Sequence, residues 1–327
     1  MSNIKKAREW NCSLLRKHII GMCVLAFFMS CSSEKPIDDN PEEVVVPPPP
    51  VEQNFVSKIG PIHAYAPESS GIVLSDGYIF TINDSGNSSI IYKVNPSDGS
   101  LVQSISVTNY DNKDWEDITA DSNYIYIGDF GNNSGKRTDL RVLKISKSQF
   151  INNTDSTVSV TAEVIEFSYS EQTSFVSSST HNFDCESFIS KEDNLYLFTK
   201  NRGDNKTRAY KLSKEPGQYS LTTLTSYDVN GLVTGGDYNA QTNELVLIGY
   251  AASNHANSFV YMFSNFTDDS FFSADVAKEV IGNATNDWQT EAIAFGSTDG
   301  ENLFISCETT DFSIATLYKT DKTTLGF

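Results

Sequence analysis

The chain is poor in the residues and motifs on which several common chemistries depend. Only five cysteines and four histidines occur among 327 residues, and the absence of a His-Glu-x-x-His motif or a Cys/His cluster removes the sequence support for zinc. There is no Gly-x-Ser-x-Gly elbow and no glycine-rich phosphate loop, so neither a serine hydrolase nor a nucleotide-binding enzyme is indicated. Helical periodicity is nearly absent, and the stretch 273–281 is the one helix candidate.

Long apolar runs are also missing. The longest, Ile19 to Met29, is too short to span a membrane and follows a basic segment, so residues 1–30 are predicted to be a signal peptide. The peptide ends in Phe-Met-Ser-Cys31, which resembles the lipobox of bacterial lipoproteins. That resemblance implies cleavage before Cys31 and lipidation of its thiol; a plain secretory signal is the alternative.

Residues 31–54 are predicted to form a tether between the lipid and the folded domain. Acidic residues follow Cys31 closely, which resembles the surface-export signals of Bacteroidota lipoproteins and implies a surface-exposed outer-membrane lipoprotein. Four prolines at 47–50 favour a stiff, extended segment. Fully extended, the tether would reach up to ~70 Å at ~3.1 Å per residue.

Basic residues are scarce relative to acidic ones. Without residues 1–30 the chain keeps 19 Lys/Arg and 41 Asp/Glu, a formal charge of −22. A surface this acidic excludes nucleic acid as an expected partner. Much of the charge serves solubility, but some acids recur at regular positions.

A motif recurs five times. Each copy opens on an acidic residue and a short strand, turns, and continues into an apolar strand that usually ends on a polar residue; the copies occupy residues 68–84, 116–129, 186–201, 237–250 and 291–308. Repeats of blade length with two visible strands predict an all-β fold, a β-propeller over residues 55–327. Five blades are expected, with six as the alternative if the 70-residue interval between Glu116 and Glu186 hides another.

The last repeat lacks a fourth strand before the C-terminus. Residues 55–59 could supply that strand, so the ring is predicted to close by pairing the start of the domain with its end. Two cysteines, Cys185 and Cys307, stay in the mature domain, each beside a repeat acid. They are either buried thiols or a disulfide.

The repeat also places the acids. In an antiparallel hairpin, the start of the first strand and the end of the second lie at the same end, so radial hairpins direct these residues to one mouth of a central funnel. The residues predicted there are Glu68, Asp84, Glu116, Asp129, Glu186, Asp237, Glu291 and Glu308. Such acids either bind a cation, with calcium expected, or accept hydrogen bonds from backbone amides of the neighbouring blade.

Several segments of the domain resemble a family of secreted bacterial propellers near the phytase-like and gluconolactonase-like groups. The segments are Asn83 to Gly86, Trp115 to Ile118, Ile127 to Asn133, Asp184 to Glu186, Leu197 to Arg202, Thr234 to Asp237 and Glu291 to Phe295. The resemblance implies funnel carboxylates that bind calcium and orient a phosphate or lactone. Glu68, Glu116, Asp129, Glu186 and Glu291 match in kind, whereas Gly249-Tyr250 and Lys200 to Arg202 depart and imply a lopsided pocket.

Four further side chains are candidates for ligand binding. Lys200 and Arg202 could bind an anionic ligand or form ion pairs with Glu186 and Asp184. Trp115, like Trp288, could stack on a sugar or wedge between blades. His181 precedes the third repeat and is the best general-base candidate, or else a surface residue.

The sequence therefore favours a cell-surface lipoprotein whose acidic funnel binds a divalent cation and a small extracellular ligand or glycan. A calcium-dependent phosphoesterase or lactonase-like hydrolase is one alternative. An envelope scaffold that holds protein partners is another.

Overall fold

The computed structural model of the chain describes residues 54–282 and 288–327. The predicted signal peptide, Cys31 and all but the last residue of the tether lie outside these ranges. Within them, no helix has the length and apolar character needed to cross a membrane.

The described residues form short strands with two single-turn helices, a 3-10 helix at Lys147–Gln149 and α1 at Lys322–Leu325. In chain order the strands are β1 (Ser57–Pro61), β2 (Ser69–Ser75), β3 (Tyr78–Asn83), β4 (Ile90–Val94), β5 (Leu101–Val107), β6 (Trp115–Ala120), β7 (Tyr124–Asp129), β8 (Leu140–Ser146), β9 (Thr157–Val160), β10 (Glu163–Tyr169), β11 (Cys185–Lys191), β12 (Asn194–Thr199), β13 (Thr207–Ser213), β14 (Gly217–Leu221), β15 (Thr225–Tyr227), β16 (Leu232–Asn239), β17 (Glu244–Ala251), β18 (Asn254–Ser264), β19 (Asp275–Val280), β20 (Thr290–Phe295), β21 (Asn302–Cys307) and β22 (Thr316–Asp321).

These strands make five sheets, which are the blades of a β-propeller. In sheet order, inner strand first, the blades are β2-β3-β4-β5-β9, β6-β7-β8-β10-β14, β11-β12-β13-β15, β16-β17-β18-β19 and β20-β21-β22-β1. Each inner strand contacts the inner strands of the two neighbouring blades, so the ring is closed around an axis. The prediction of five blades is confirmed.

Two strands are exchanged between neighbouring blades, and the first of them, β9, lies in the long interval of the second repeat. β9 leaves the second blade and adds parallel to β5 at the outer edge of the first blade. β14 likewise leaves the third blade and adds parallel to β10. These additions cover sheet edges that would otherwise expose unpaired backbone groups.

Pairing of β1 with β22 closes the ring, as predicted. The two strands are antiparallel, with Ser57 opposite Lys319 and Pro61 opposite Thr316. β22 is antiparallel to β21 and therefore runs away from the end of the propeller at which β21 finishes. Because β1 is in turn antiparallel to β22, β1 begins at the end of the propeller opposite to the end of β21.

Apolar side chains fill the space between blades. Strands β7, β12 and β17 are buried on both faces, because neighbouring blades cover both sides of each sheet. Cys185 and Cys307 are buried free thiols, so the disulfide alternative is wrong. The helix candidate at 273–281 is also wrong, because this stretch contains β19, which pairs with β18.

Candidate functional site

The inner strands share a β-bulge near their first residues. One extra residue is inserted where each inner strand pairs with its neighbour; these residues are Ser70, Glu116, Glu186, Thr234 and Glu291. Bulges re-aim side chains and are common next to binding sites. Three of the five positions carry glutamate, and all three glutamates are buried.

Further acids flank these bulges, just before the inner strands or just after the second strands. Together with the three glutamates they form what we call the acidic mouth: Asp84, Asp114, Glu116, Asp184, Glu186, Glu291 and Glu308. The fourth blade contributes none of them and places Tyr250 there instead. The mouth is therefore lopsided, and its acids come from blades one, two, three and five.

Three of the acids converge at the seam between the first and second blades. One carboxylate oxygen from each of Asp84, Asp114 and Glu116 lies within 4.8 Å of the other two. Glu116 is only 5% exposed, and its buried Oε1 has no hydrogen-bond partner. A side chain in place of the hydrogen of Gly131 would overlap the carboxylates of Glu116 and Asp114, so glycine is needed there. We call these three residues the seam cluster.

The seam cluster is electrostatically unfavourable without a counter-charge. Burial, with neighbouring carboxylates adding to it, raises the pKa of Asp84 and of Asp114 to about 6. Burial and the charge of Glu186 raise the pKa of Glu116 well above its usual range. Arg137 Nη1 lies 3.9 Å from Asp114, but the same guanidinium also pairs with Asp129 at 3.0 Å. Such a site favours a bound cation or protons.

In the third blade, by contrast, basic side chains neutralise the acids. Lys200 Nζ donates to Glu186 Oε2 at 2.6 Å, and both side chains are buried. Arg202 pairs with Asp184 and lies 3.7 Å from Glu186. The predicted ion-pair alternative for Lys200 and Arg202 therefore describes this wall of the mouth, which we call the paired wall.

The fifth blade holds two glutamates joined by an amide. Gln289 Nε2 donates to Glu291 Oε1 and to Glu308 Oε2, each at 2.7 Å. Burial raises the pKa of Glu291 to about 7. Burial and the charge of Glu291 raise the pKa of Glu308 to about 9, so Glu308 keeps its proton at neutral pH.

The placement of Asp237 in the mouth was wrong. Asp237 lies near the far end of β16, and its oxygens accept from the backbone N–H groups of Tyr238 at 2.8 Å and Phe295 at 2.9 Å. Phe295 belongs to the next blade, so Asp237 fastens two blades together. The misplacement arose because the fourth repeat carries Thr234, not an acid, at its bulge.

Two other predicted metal ligands are engaged elsewhere or lie at the rim. Asp129 is fully buried and binds Arg137 at 3.0 Å and Arg141 at 2.6 Å, so its carboxylate is already neutralised. Glu68 is exposed and accepts from Asn87. Ser70, not Glu68, occupies the bulge position of the first blade.

Trp115 and His181 do not face a ligand. Trp115 is fully buried in the core between the first and second blades, as the wedge alternative expected. The ring of His181 is held by backbone on both sides: Phe183 N donates to Nδ1, and Nε2 donates to Asn133 O. Burial lowers its pKa, and neither nitrogen is free to act as a base.

Asp114 is the member of the seam cluster that the repeat pattern missed. It lies before β6, at the position that Glu68 occupies before β2 and Asp184 before β11. The acidic stretch Asp111 to Asp114 was a weak signal, because it lacks the spacing of a complete calcium loop.

Comparisons with known proteins agree with the fold and go no further. Neither a protein-family model nor a curated protein matches the sequence. Regucalcin from Agrobacterium tumefaciens, described as a calcium-binding protein, is similar in structure with a TM-score of 0.42 and 9% identity over 78% of this chain and 90% of its own. The β-propeller domain of Cps50 from Myceliophteria thermophila has a TM-score of 0.38 and 10% identity over 76% and 72% of the two chains.

An exo-β-1,3-galactanase from Phanerochaete chrysosporium is also similar, with a TM-score of 0.49 and 12% identity over 79% of this chain and 61% of its own. Similarity this low carries nothing about ligand or reaction.

Proposed function

We propose that the seam cluster binds a divalent cation, calcium, and that the acidic mouth presents this cation to a small extracellular ligand or glycan. The observation that carries the proposal is the buried, unpartnered Oε1 of Glu116 beside the carboxylates of Asp84 and Asp114. A buried charged oxygen without a partner is costly, and a cation is the simplest group that would remove the cost.

The donor set suits calcium. All three side chains offer hard oxygen ligands, and calcium takes six to eight oxygens in flexible geometry. If each of the three carboxylates binds through one oxygen, they supply three ligands, and three or more positions remain for other oxygens. Asp84 and Asp114 are only partly buried, so water or ligand oxygens can occupy the remaining positions.

The test compares two glutamates at equivalent bulge positions. With calcium at ~100 times its dissociation constant, binding adds ~2.7 kcal/mol of stability and should raise the Tm by at least about 5 °C. Glu116→Gln should abolish this rise and the heat of calcium binding in calorimetry. Glu186→Gln, the matched control, should keep both, because Glu186 is paired with Lys200. Wild-type protein that neither binds calcium nor gains Tm in it would refute the proposal.

A calcium-dependent hydrolase is the second candidate. Glu308 favours it, because a carboxyl group that keeps its proton at neutral pH can protonate a leaving oxygen. Turnover of p-nitrophenyl phosphate or a δ-lactone that EDTA removes and Glu308→Gln reduces at least tenfold would support it. If neither compound is turned over, the result would argue against a hydrolase and favour the binding function.

We further propose that Cys31 carries lipid and holds the domain at the outer surface of the outer membrane. The support is the sequence pattern around Cys31 and the acidic residues behind it. In a bacterial host, wild-type protein should incorporate an alkyne-labelled fatty acid and be digested by protease added to intact cells. Cys31→Ala should lose the label, and its presence in that variant would contradict the proposal.

A further inference from the structure

A loop at the rim of the acidic mouth exposes an aromatic ring. Phe312 is 82% exposed, the most exposed large apolar side chain among residues 54–282 and 288–327, and Ile314 beside it is 47% exposed. Both lie in the connection between β21 and β22, whose first residue is Glu308 of the mouth. An exposed aromatic ring at this place offers a flat apolar face on which a ligand can stack.

The loop that carries Phe312 is fixed by hydrogen bonds. Thr310 Oγ1 accepts from the backbone N–H groups of Phe312 at 3.2 Å and Ser313 at 3.0 Å. Thr310 N donates to Ser313 O at 2.8 Å, which closes a tight turn. Thr309 Oγ1 accepts from Ala315 N at 3.1 Å. Phe312 is thus presented on an ordered turn, which lowers the entropy cost of binding.

Hydrogen bonds connect this turn to the seam cluster. Thr309 N donates to Pro67 O at 2.8 Å, and Asp84 N donates to Glu68 O at 3.0 Å. The aromatic turn is therefore attached to the residue next to Glu68, whose backbone pairs directly with Asp84. An apolar ring and a hard-cation site lie on neighbouring segments at the same end of the propeller.

We propose that Phe312 is the stacking platform for a carbohydrate ring whose hydroxyl groups coordinate the cation of the seam cluster. A sugar ring combines an apolar C–H face with a polar edge, so it can use an aromatic ring and hard oxygen coordination at once. The inference rests on the proposed calcium site and adds the ligand class and a specificity residue. It also moves the sugar-stacking role from Trp115, which is buried, to Phe312.

Charge decides against an anionic membrane as the occupant. Outside residues 1–30 the chain carries 41 Asp/Glu against 19 Lys/Arg, so an anionic lipid surface would be repelled by the domain as a whole. A neutral glycan avoids that repulsion.

The experiment measures retardation of the full mature domain in gels that contain laminarin, xylan, galactan or mannan, with 1 mM calcium. At least one polysaccharide should retard the wild type, and EDTA should abolish the effect. Phe312→Ala should weaken binding about tenfold, as expected for an interface anchor worth ~1.4 kcal/mol, and Phe312→Tyr should retain it. Phe175→Ala is the matched control, because Phe175 is 44% exposed on a different loop and should be dispensable.

Each other outcome would overturn the inference. These are no retardation by any of the four polysaccharides, equal retardation of Phe312→Ala, and Phe312-dependent binding to phosphatidylcholine vesicles in place of polysaccharide. Calorimetry separates this failure from that of the calcium site: Phe312→Ala should bind calcium like the wild type. Wild-type protein that binds no calcium would refute the proposed function itself.

Discussion

The acids of the inner strands lie in two layers, which differ in the hydrogen-bond partners of their carboxylates. In the upper layer, Glu116 sits in the mouth with an oxygen that has no partner. One residue further along the same strand, Asp117 is 1% exposed and accepts from the backbone N–H groups of Ile118 at 2.8 Å and Phe188 at 2.9 Å. Phe188 lies in the next blade, so Asp117 joins two blades just as Asp237 does. Both acids are buried, so the number of hydrogen-bond partners, rather than residue type or burial, distinguishes an acid that joins two blades from one with an unpaired oxygen.

Within the upper layer a second contrast separates the seam cluster from the paired wall. Glu186 and Glu116 occupy equivalent bulges, yet Lys200 neutralises only Glu186. The glutamate at this position is therefore part of a buried ion pair in the third blade, whereas in the second blade it keeps an unpaired oxygen.

The largest expected effect comes from breaking the paired wall. Glu186→Gln leaves the buried ammonium of Lys200 without its 2.6 Å partner, and removal of one member of a buried pair costs ~3 kcal/mol. Urea unfolding at pH 8 without calcium should show this loss. The double variant with Lys200→Met should recover most of the stability; failure of that recovery would mean that the pair is not the cause.

A smaller loss is expected from Asp117→Ala. The substitution strands two buried N–H groups at ~1–3 kcal/mol each, but it also removes a carboxylate that burial disfavours, so the net loss should be ~2 kcal/mol. Calcium should still raise the Tm, because the seam cluster is untouched. Asp311→Ala, at an exposed position, is the control and should change unfolding by less than ~0.5 kcal/mol.

The number of blades and the position of three glutamates could be predicted from the sequence. Five repeats and apolar second strands predicted five blades, because only neighbouring blades can cover both faces of strands such as β12. Antiparallel geometry correctly put Glu116, Glu186 and Glu291 at one mouth. These conclusions depend only on order along the chain.

The sequence failed where the position of a residue relative to the bulge decides the outcome. Asp237 lies three residues past the bulge position of its strand, which takes it from the mouth to a bond between blades. Trp115 precedes its bulge and turns into the core, whereas Phe312, in a loop outside the repeat, carried no signal. A bulge changes the alternation of side chains, so its position must be seen before acids can be sorted.

The pH dependence of calcium-free stability tests the mouth as a whole. Burial raises the pKa values of Asp84 and Asp114 to about 6, that of Glu291 to about 7 and that of Glu308 to about 9. Because the folded state holds these protons more tightly than the unfolded chain, raising the pH through these values removes stability. The Tm without calcium should fall by several degrees between pH 5 and pH 9, and calcium should shrink the fall. A Tm that is constant or rises over this range without calcium would contradict the account.

The smallest effect, and the one with the opposite sign, is expected at Glu116. Its pKa is raised by burial, and its Oε1 has no partner to lose, so Glu116→Gln removes a buried charge without stranding a donor. Calcium-free protein at pH 8 should therefore be unchanged or more stable by up to ~1 kcal/mol, whereas Glu186→Gln at the equivalent bulge loses stability. Urea midpoints of the two variants, measured side by side, decide the matter. Equal losses would mean that both glutamates serve the ring, and the distinction between the seam cluster and the paired wall would be lost.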